Sequence, residues 1–133
     1  MPSLVLVDTS AWICFFARRG YPDIKKALSF LLEEDRAAIA GPILIEIVQG
    51  ARTAEKKEDI KKWIKGIRWL SVTDAIWNNA AEMAFALRRK GITTSAIDTL
   101  IAVLAIEYDC YLLHRDSHFD IIARHCELKC YSL

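Results

Sequence analysis

A three-layer α/β/α sandwich with a mainly parallel central sheet is the fold predicted for this 133-residue chain. Short β-prone apolar runs alternate along it with stretches of helical periodicity, the pattern of an α/β domain. The first such run, Leu4–Val7, is apolar without interruption, as expected of a strand covered on both faces. The segment Ser95–Glu107 is apolar nearly all round except at its start, as expected of a buried helix.

Asp8 closes the first strand. Pro22 suits a first helical turn, and Ile24, Ala27, Leu28, Leu31 and Leu32 recur at helical spacing, which predicts an amphipathic helix covering the sheet. Ala37–Ala40 reads as a second strand stopped by Gly41-Pro42, followed by a helix whose apolar face is Ile43, Leu44, Ile47, Val48 and Ala51. A charged helix is expected from Ala54 to Lys65, ending before Gly66, with a third strand at Ile67–Val72. Ala75–Lys90 is helical up to Gly91. Tyr111–Leu113 reads as a strand, His118–His125 as a short helix, and Lys129–Ser132 as a last strand. There is no internal repeat and no linker, so residues 1–133 are expected to form a single domain.

At this length a core can form without disulfides. The hydrophobic fraction of 53% is high for a monomer, so part of the apolar surface is expected to meet a partner, while 26% charged residues exclude a disordered tail or a fibre. No apolar run reaches the roughly 18 residues of a membrane helix, and Asp8 interrupts any signal-peptide pattern, so a cytoplasmic location without membrane attachment is expected. Cys14 and Cys110 lie in apolar runs, Cys126 and Cys130 are not in CxxC spacing, and all four read as reduced structural thiols. The net charge of +1 does not by itself indicate a polyanion partner. Between Arg52 and Arg68, however, seven basic residues face three acidic ones, a local charge of +4, and Arg88, Arg89 and Lys90 form a second cluster.

The chemistry lies in four carboxylates beside apolar elements: Asp8, Glu46, Asp98 and Asp116. Each has an ordinary explanation. Asp8 can cap a helix beginning near Ser10. Ser95 and Asp98 have capping-box spacing. Glu46 can be the polar side of an amphipathic helix, and Asp116 a turn residue. Together they suggest more, because a parallel sheet brings strand-end acids and acids near helix N-termini to one end of the fold. Carboxylates gathered there repel, and a divalent cation relieves the repulsion. Hard oxygen ligands with few His or Cys nearby suit Mg²⁺ or Mn²⁺, which can activate water for phosphodiester cleavage. The basic segments would then grip nucleic-acid phosphates, although composition alone favours a solvated Lys-rich helix.

The residues at these positions resemble motifs of the PIN-domain family, specifically its VapC-type ribonuclease toxins. Val7-Asp8-Thr9-Ser10-Ala11-Trp12 is similar to the opening motif, and Glu46 with Gln49-Gly50-Ala51 to the second. Asp98-Thr99-Leu100-Ile101-Ala102 is similar to the third, and Leu113-His114-Arg115-Asp116 with Phe119 to the fourth. The resemblance covers essentially the whole chain. It implies a PIN-like α/β/α sandwich, an endoribonuclease dependent on Mg²⁺ or Mn²⁺ that leaves 5′-phosphate and 3′-hydroxyl ends, homodimerisation, and inhibition by a small cognate antitoxin encoded beside it. Asp8, Glu46, Asp98 and Asp116 would be the acidic quartet and Ser10 a hydroxyl supporting the attacking water. His114 departs from the Thr or Ser frequent in the family, and its imidazole can reach a phosphate or a neighbouring acid instead. Asp120, one helical turn beyond Asp116, reads as a surface residue. Three other readings stand beside the toxin: a non-catalytic PIN-like module that binds RNA or protein, a PIN nuclease in RNA processing, and a phosphatase or phosphoacceptor using Asp8. The last lacks the second acid of a DxD arrangement.

Overall fold

The computed structural model describes residues 3–133. These residues form five strands, β1 (Val5–Val7), β2 (Ala37–Ile39), β3 (Arg68–Trp69), β4 (Tyr111–Leu113) and β5 (Lys129–Cys130). All pair in parallel, in the order β3-β2-β1-β4-β5. The connecting helices are α1 (Thr9–Phe16) and α2 (Pro22–Glu33), α3 (Gly41–Gln49) and α4 (Ala54–Ile64), α5 (Asp74–Arg89) and α6 (Ala96–Glu107), and α7 (Ser117–Ala123).

Strand β1 is central, with Val5 opposite both Ala37 and Tyr111 and Leu6 opposite both Ala38 and Leu112. Two strand neighbours and helices on both faces leave β1 no solvent, which is why Val5, Leu6 and Val7 are all fully buried and why the sequence there does not alternate. Right-handed crossovers place α1 to α4 on one face and α5 to α7 on the other. The helix contacts divide the same way: α1 packs on α2 and α3, α3 on α4, α5 on α6, and α6 on α7. The three-layer expectation is met, and the crossover direction reverses at β1. Beyond the carboxyl ends of β1 and β4, loops therefore diverge to opposite faces and leave a crevice between them.

Helix α6 is the inner wall of its layer, with every residue from Thr99 to Ala105 buried. Helix α1 is anchored by Trp12, fully buried, which stacks on Phe16 and meets Phe15 edge-on.

Several boundaries differ from expectation for local reasons. The third strand is Arg68–Trp69 and not Ile67–Val72: Leu70 N–H still bonds Ile39 O, but Thr73 then caps α5, so the chain must turn away. Gly41-Pro42 does not merely stop β2. It forms the first turn of α3, where proline has no N–H to waste. The last strand ends at Cys130, short of Ser132, and α7 begins at Ser117.

All four cysteines are free. Burial pushes the Cys110 thiol up to about 11 and raises Cys14 and Cys130 as well. Iodoacetamide at pH 8 should therefore modify Cys14 and Cys110 only in urea-unfolded protein, as read by mass spectrometry of the native and unfolded forms. The core reading has its own check. Leu6→Ala, at a fully buried site, should lower unfolding free energy by about 2–5 kcal/mol, whereas Ile45→Ala, 66% exposed, should cost less than about 0.5 kcal/mol in the same urea titration.

Candidate metal centre at the ends of the central strands

Asp8 follows β1 directly and its backbone spans the crevice: its N–H donates to Leu113 O, 2.9 Å away at the end of β4. The side chain caps α1, Oδ2 accepting Ser10 N–H at 3.0 Å and the Ser10 hydroxyl at 2.6 Å. Asp8 is 5% exposed, one of two buried polar residues among those described, the other being Thr99. Ser10 Oγ also accepts Arg115 N–H at 3.0 Å. Its hydrogen is thus committed to Asp8 and one lone pair to the β4–α7 loop, which leaves one lone pair for water.

Asp116 sits in that loop as the N-cap of α7, with Oδ1 accepting His118 N–H at 2.9 Å. Its own N–H donates to His114 Nδ1 at 3.1 Å. His114, whose side chain is only 8% exposed, packs against Phe119 and sets Nε2 3.3 Å from Cys130 Sγ and 3.5 Å from Asp120 Oδ1. The imidazole that departs from the family pattern therefore buttresses the Asp116 backbone and does reach a neighbouring acid. Asp120 is 61% exposed at its side chain, as expected of a surface residue.

Asp98 is in the first turn of α6, but Ser95 is the cap: Ser95 Oγ accepts Asp98 N–H at 3.0 Å. Among the described residues no return bond from Ser95 N–H to the Asp98 carboxylate completes a capping box. Thr99 Oγ1 donates to Ser95 O and lies 2.6 Å from Thr94 Oγ1, which ties the preceding loop to this turn. The Asp98 carboxylate caps no helix and lies beside the Ser95 side chain and the His118 ring. Its pKa is raised, first by burial, then by the charges of Asp116 and Asp8, with Ser95 and His118 opposing. Three acids distant in the chain thus feel one another.

Glu46 stands apart. It lies on an exposed part of α3, and Thr9 Oγ1 donates to its Oε1 at 2.8 Å, which draws it toward the start of α1 beside Asp8. The residue that sequence reasoning missed is His118. Its Nδ1 is 3.3 Å from Asp116 Oδ1 and 3.8 Å from Asp98 Oδ2. The only signal was its position two residues after Asp116, where a cap places the side chain of the first turn back over the cap.

The donor set fits a divalent cation. Asp8 and Asp116 each spend one carboxylate oxygen on a helix cap and keep another, while Asp98 is not a cap at all. Burial raises Asp98 most, and the repulsion from Asp116 and Asp8 that adds to it is the electrostatic counterpart of such a site. The hollow beside it, of about 250 Å³, is lined by Gly91, Ile92, Thr93, Thr94, His118 and Ile121.

The PIN domain family model matches residues 5–125. Ribonuclease VapC11 of Mycobacterium tuberculosis is 38% identical over 129 residues, covering 95% of this chain and 96% of its own. Among solved structures, a chain of VapBC2 from Rickettsia felis, determined bound to a promoter DNA fragment, superposes with a TM-score of 0.80 at 16% identity, covering 98% of each chain. A chain of FitAcB from Neisseria gonorrhoeae gives 0.77 at 17% identity over 97% of each. Matched along nearly its whole length by the family model and by a relative of that identity, the chain belongs to the PIN-domain family.

Proposed function

We propose that this protein is a metal-dependent endoribonuclease, the toxin of a toxin–antitoxin pair, that hydrolyses RNA phosphodiester bonds. The observation that carries the reading is the approach of Asp98 and Asp116 at the crossover reversal of the sheet, with Asp8 at the end of β1 near enough to add to the raised Asp98 pKa, in a PIN-domain chain similar throughout to a VapC ribonuclease. Asp8, Asp98 and Asp116 would hold Mg²⁺ or Mn²⁺, directly or through water, with Glu46 completing the site. When bound, the cation supplies Lewis acidity toward a phosphoryl oxygen and lowers the pKa of water. The chain's own contribution is placement. Ser10 orients Asp8 and retains one lone pair to accept a hydrogen bond from the attacking water. Thr9 steers Glu46 toward the same end of α1, where the carboxylate can accept a proton. The caps fix Asp8 and Asp116 before substrate arrives, so little reorganisation accompanies the reaction.

Partners follow from the same reading. A small VapB-like antitoxin would present Arg or Lys to the acidic floor and exclude RNA. Exposed Ile13 and Ile45 on neighbouring helices, and Trp77 and Phe85 on α5, offer apolar area to the antitoxin or to a second copy in a homodimer. None of the described helices is long and apolar enough to cross a membrane, and the RNA substrate puts the proposed action in the cytoplasm.

Asp8→Asn or Asp116→Asn should reduce RNA cleavage in Mg²⁺ or Mn²⁺ by about a hundredfold or more, the scale of losing several kcal/mol of charge stabilisation. Wild-type rates in either variant, measured over a metal titration, would return these acids to a capping role alone.

Stability in EDTA gives a second, independent reading. A carboxyl whose folded pKa is raised contributes stability below its unfolded pKa and loses it as pH rises through the folded value. The metal-free protein should therefore lose melting temperature as pH climbs above the ordinary Asp range, and Asp98→Asn should flatten that decline and shrink the shift produced by excess Mg²⁺. An Asp98→Asn protein whose pH decline and Mg²⁺ shift match wild type would remove Asp98 from the site.

The basic helix α4 is the proposed grip on RNA phosphates, since Lys61 and Lys62 are exposed in its last turn while Arg68 is occupied by Asp35 at 2.8 Å. Lys61→Gln with Lys62→Gln should flatten the plot of log affinity against log salt by about 0.7 for each single-strand phosphate that is no longer neutralised. An unchanged slope would leave α4 a solvated face.

A further inference from the structure

We propose that His118 is a nitrogen donor to the metal of this centre, which makes the site one of mixed oxygen and nitrogen ligands and biases it toward Mn²⁺ over Mg²⁺. The inference rests on the reading that Asp8, Asp98 and Asp116 hold a divalent cation. It departs from the oxygen-only ligand set that the four carboxylates alone suggest.

The geometry is specific to one ring nitrogen. His118 is in the first turn of α7, and its backbone N–H is fixed by the Asp116 carboxylate at 2.9 Å. From there Nδ1 reaches to 3.3 Å from Asp116 Oδ1, the capping oxygen, which has a second lone pair to offer an ion, and to 3.8 Å from Asp98 Oδ2. One ligand atom from each of the three residues lies within 4.8 Å of the other two. Donors around a six-coordinate ion at about 2.1 Å stand about 3 Å apart when adjacent and about 4.2 Å apart when opposite, so the three atoms need only small side-chain rotations to share an ion. Among the described residues His118 has no other ion-pair partner than these two carboxylates. Its side chain is 67% exposed, so coordination removes nothing from the core.

The second group of potential donors nearby does not compete. His114, Asp120 and Cys130 also lie within 4.8 Å of one another. But His114 Nδ1 accepts the Asp116 N–H, so the neutral ring carries its proton on Nε2, the very atom that faces Cys130 and Asp120. A metal there would require a doubly deprotonated ring or a broken bond to Asp116. His118 bears no such constraint on Nδ1.

The selectivity follows from ligand softness. Mg²⁺ prefers oxygen and keeps its waters, whereas imidazole stabilises first-row transition ions, of which Mn²⁺ also accepts carboxylates. Adding one imidazole to carboxylates therefore strengthens Mn²⁺ binding and leaves Mg²⁺ nearly indifferent.

Pulsed EPR of the full-length protein loaded with Mn²⁺ reads the bond directly, because a coordinated imidazole nitrogen gives a ¹⁴N coupling. Wild type should show that coupling, and His118→Gln should lose it while still binding Mn²⁺. The Mn²⁺ dissociation constant of His118→Gln should rise on the order of tenfold, the low end of what groups supporting a metal centre contribute, with Mg²⁺ affinity by competition unchanged. Mn²⁺ binding that is abolished by Asp116→Asn, but shows no ¹⁴N coupling in wild type, overturns the role of His118 and leaves the acidic centre standing. A coupling that persists in His118→Gln also overturns it. No binding of Mn²⁺ or Mg²⁺ by wild type overturns both the inference and the metal-dependent reading beneath it.

Discussion

Asp8 is bonded in three directions at once. Its N–H reaches across to Leu113 O, its carbonyl accepts Ala11 and Trp12 N–H in the first turn of α1, and its carboxylate holds Ser10, whose hydroxyl in turn accepts Arg115 N–H. One residue therefore joins the end of β1, the end of β4, the start of α1 and the loop that carries Asp116. Every other feature of the centre depends on this junction, because the crevice exists only where neighbouring parallel strands send their connections to opposite faces. A side chain there that merely capped a helix would satisfy the fold. A carboxylate does that with one oxygen and leaves the other unused by the cap.

Gathering carboxylates at one point is unfavourable, and Asp98, raised by burial and by two like charges, registers that strain. The topology supplies part of the relief. Helices α1 and α7 start directly after β1 and β4, and α6, running back against α5, starts at the same end of the sheet, so the N-termini of α1, α6 and α7 lie where Asp8, Asp98 and Asp116 do. Each helix start offers an acid about 0.3–1 kcal/mol of dipole stabilisation. Such increments are small beside the repulsion of neighbouring ionised groups in a partly buried place, which is why the arrangement favours a divalent cation.

The parallel sheet, the buried strand β1 and the near-apolar helix α6 were legible in the sequence because continuous apolar runs have few other interpretations, whereas the strand order was not. Asp8 and Asp116 were legible as strand-end acids. Capping a helix and facing a site are not alternatives for them, since a carboxylate has two oxygens and the geometry permits both. Edge elements were less legible: β3 has only two residues, both exposed, so neither alternation nor burial marks it, and its end is set by the Thr73 cap downstream. The bond from Thr9 to Glu46 spans 37 positions and the brace from Ser10 to Arg115 spans 105, and no local pattern announces either. His118 escaped notice for the same reason. Its proximity to Asp98 is a property of how α6 and α7 pack, not of its sequence neighbours.

Exposure across the centre is graded. Asp8 is 5% exposed, the Asp98 side chain 23% and the Asp116 side chain 34%, while Glu46 lies on the open surface of α3. The innermost acid is also the one with the most backbone and hydroxyl bonds, so its position is set by folding and not by a ligand. The outer acids keep more water, which an octahedral ion needs to fill the positions that protein groups leave open. In the proposed nuclease this gradient separates two tasks that would otherwise conflict. Anchoring would fall to Asp8, where movement would disturb the central strand, and Asp98 and Asp116 would hold the side of the ion open to water and phosphate. A site built the other way, with its mobile ligands at the sheet and its fixed one outside, would trade stability for turnover at every cycle.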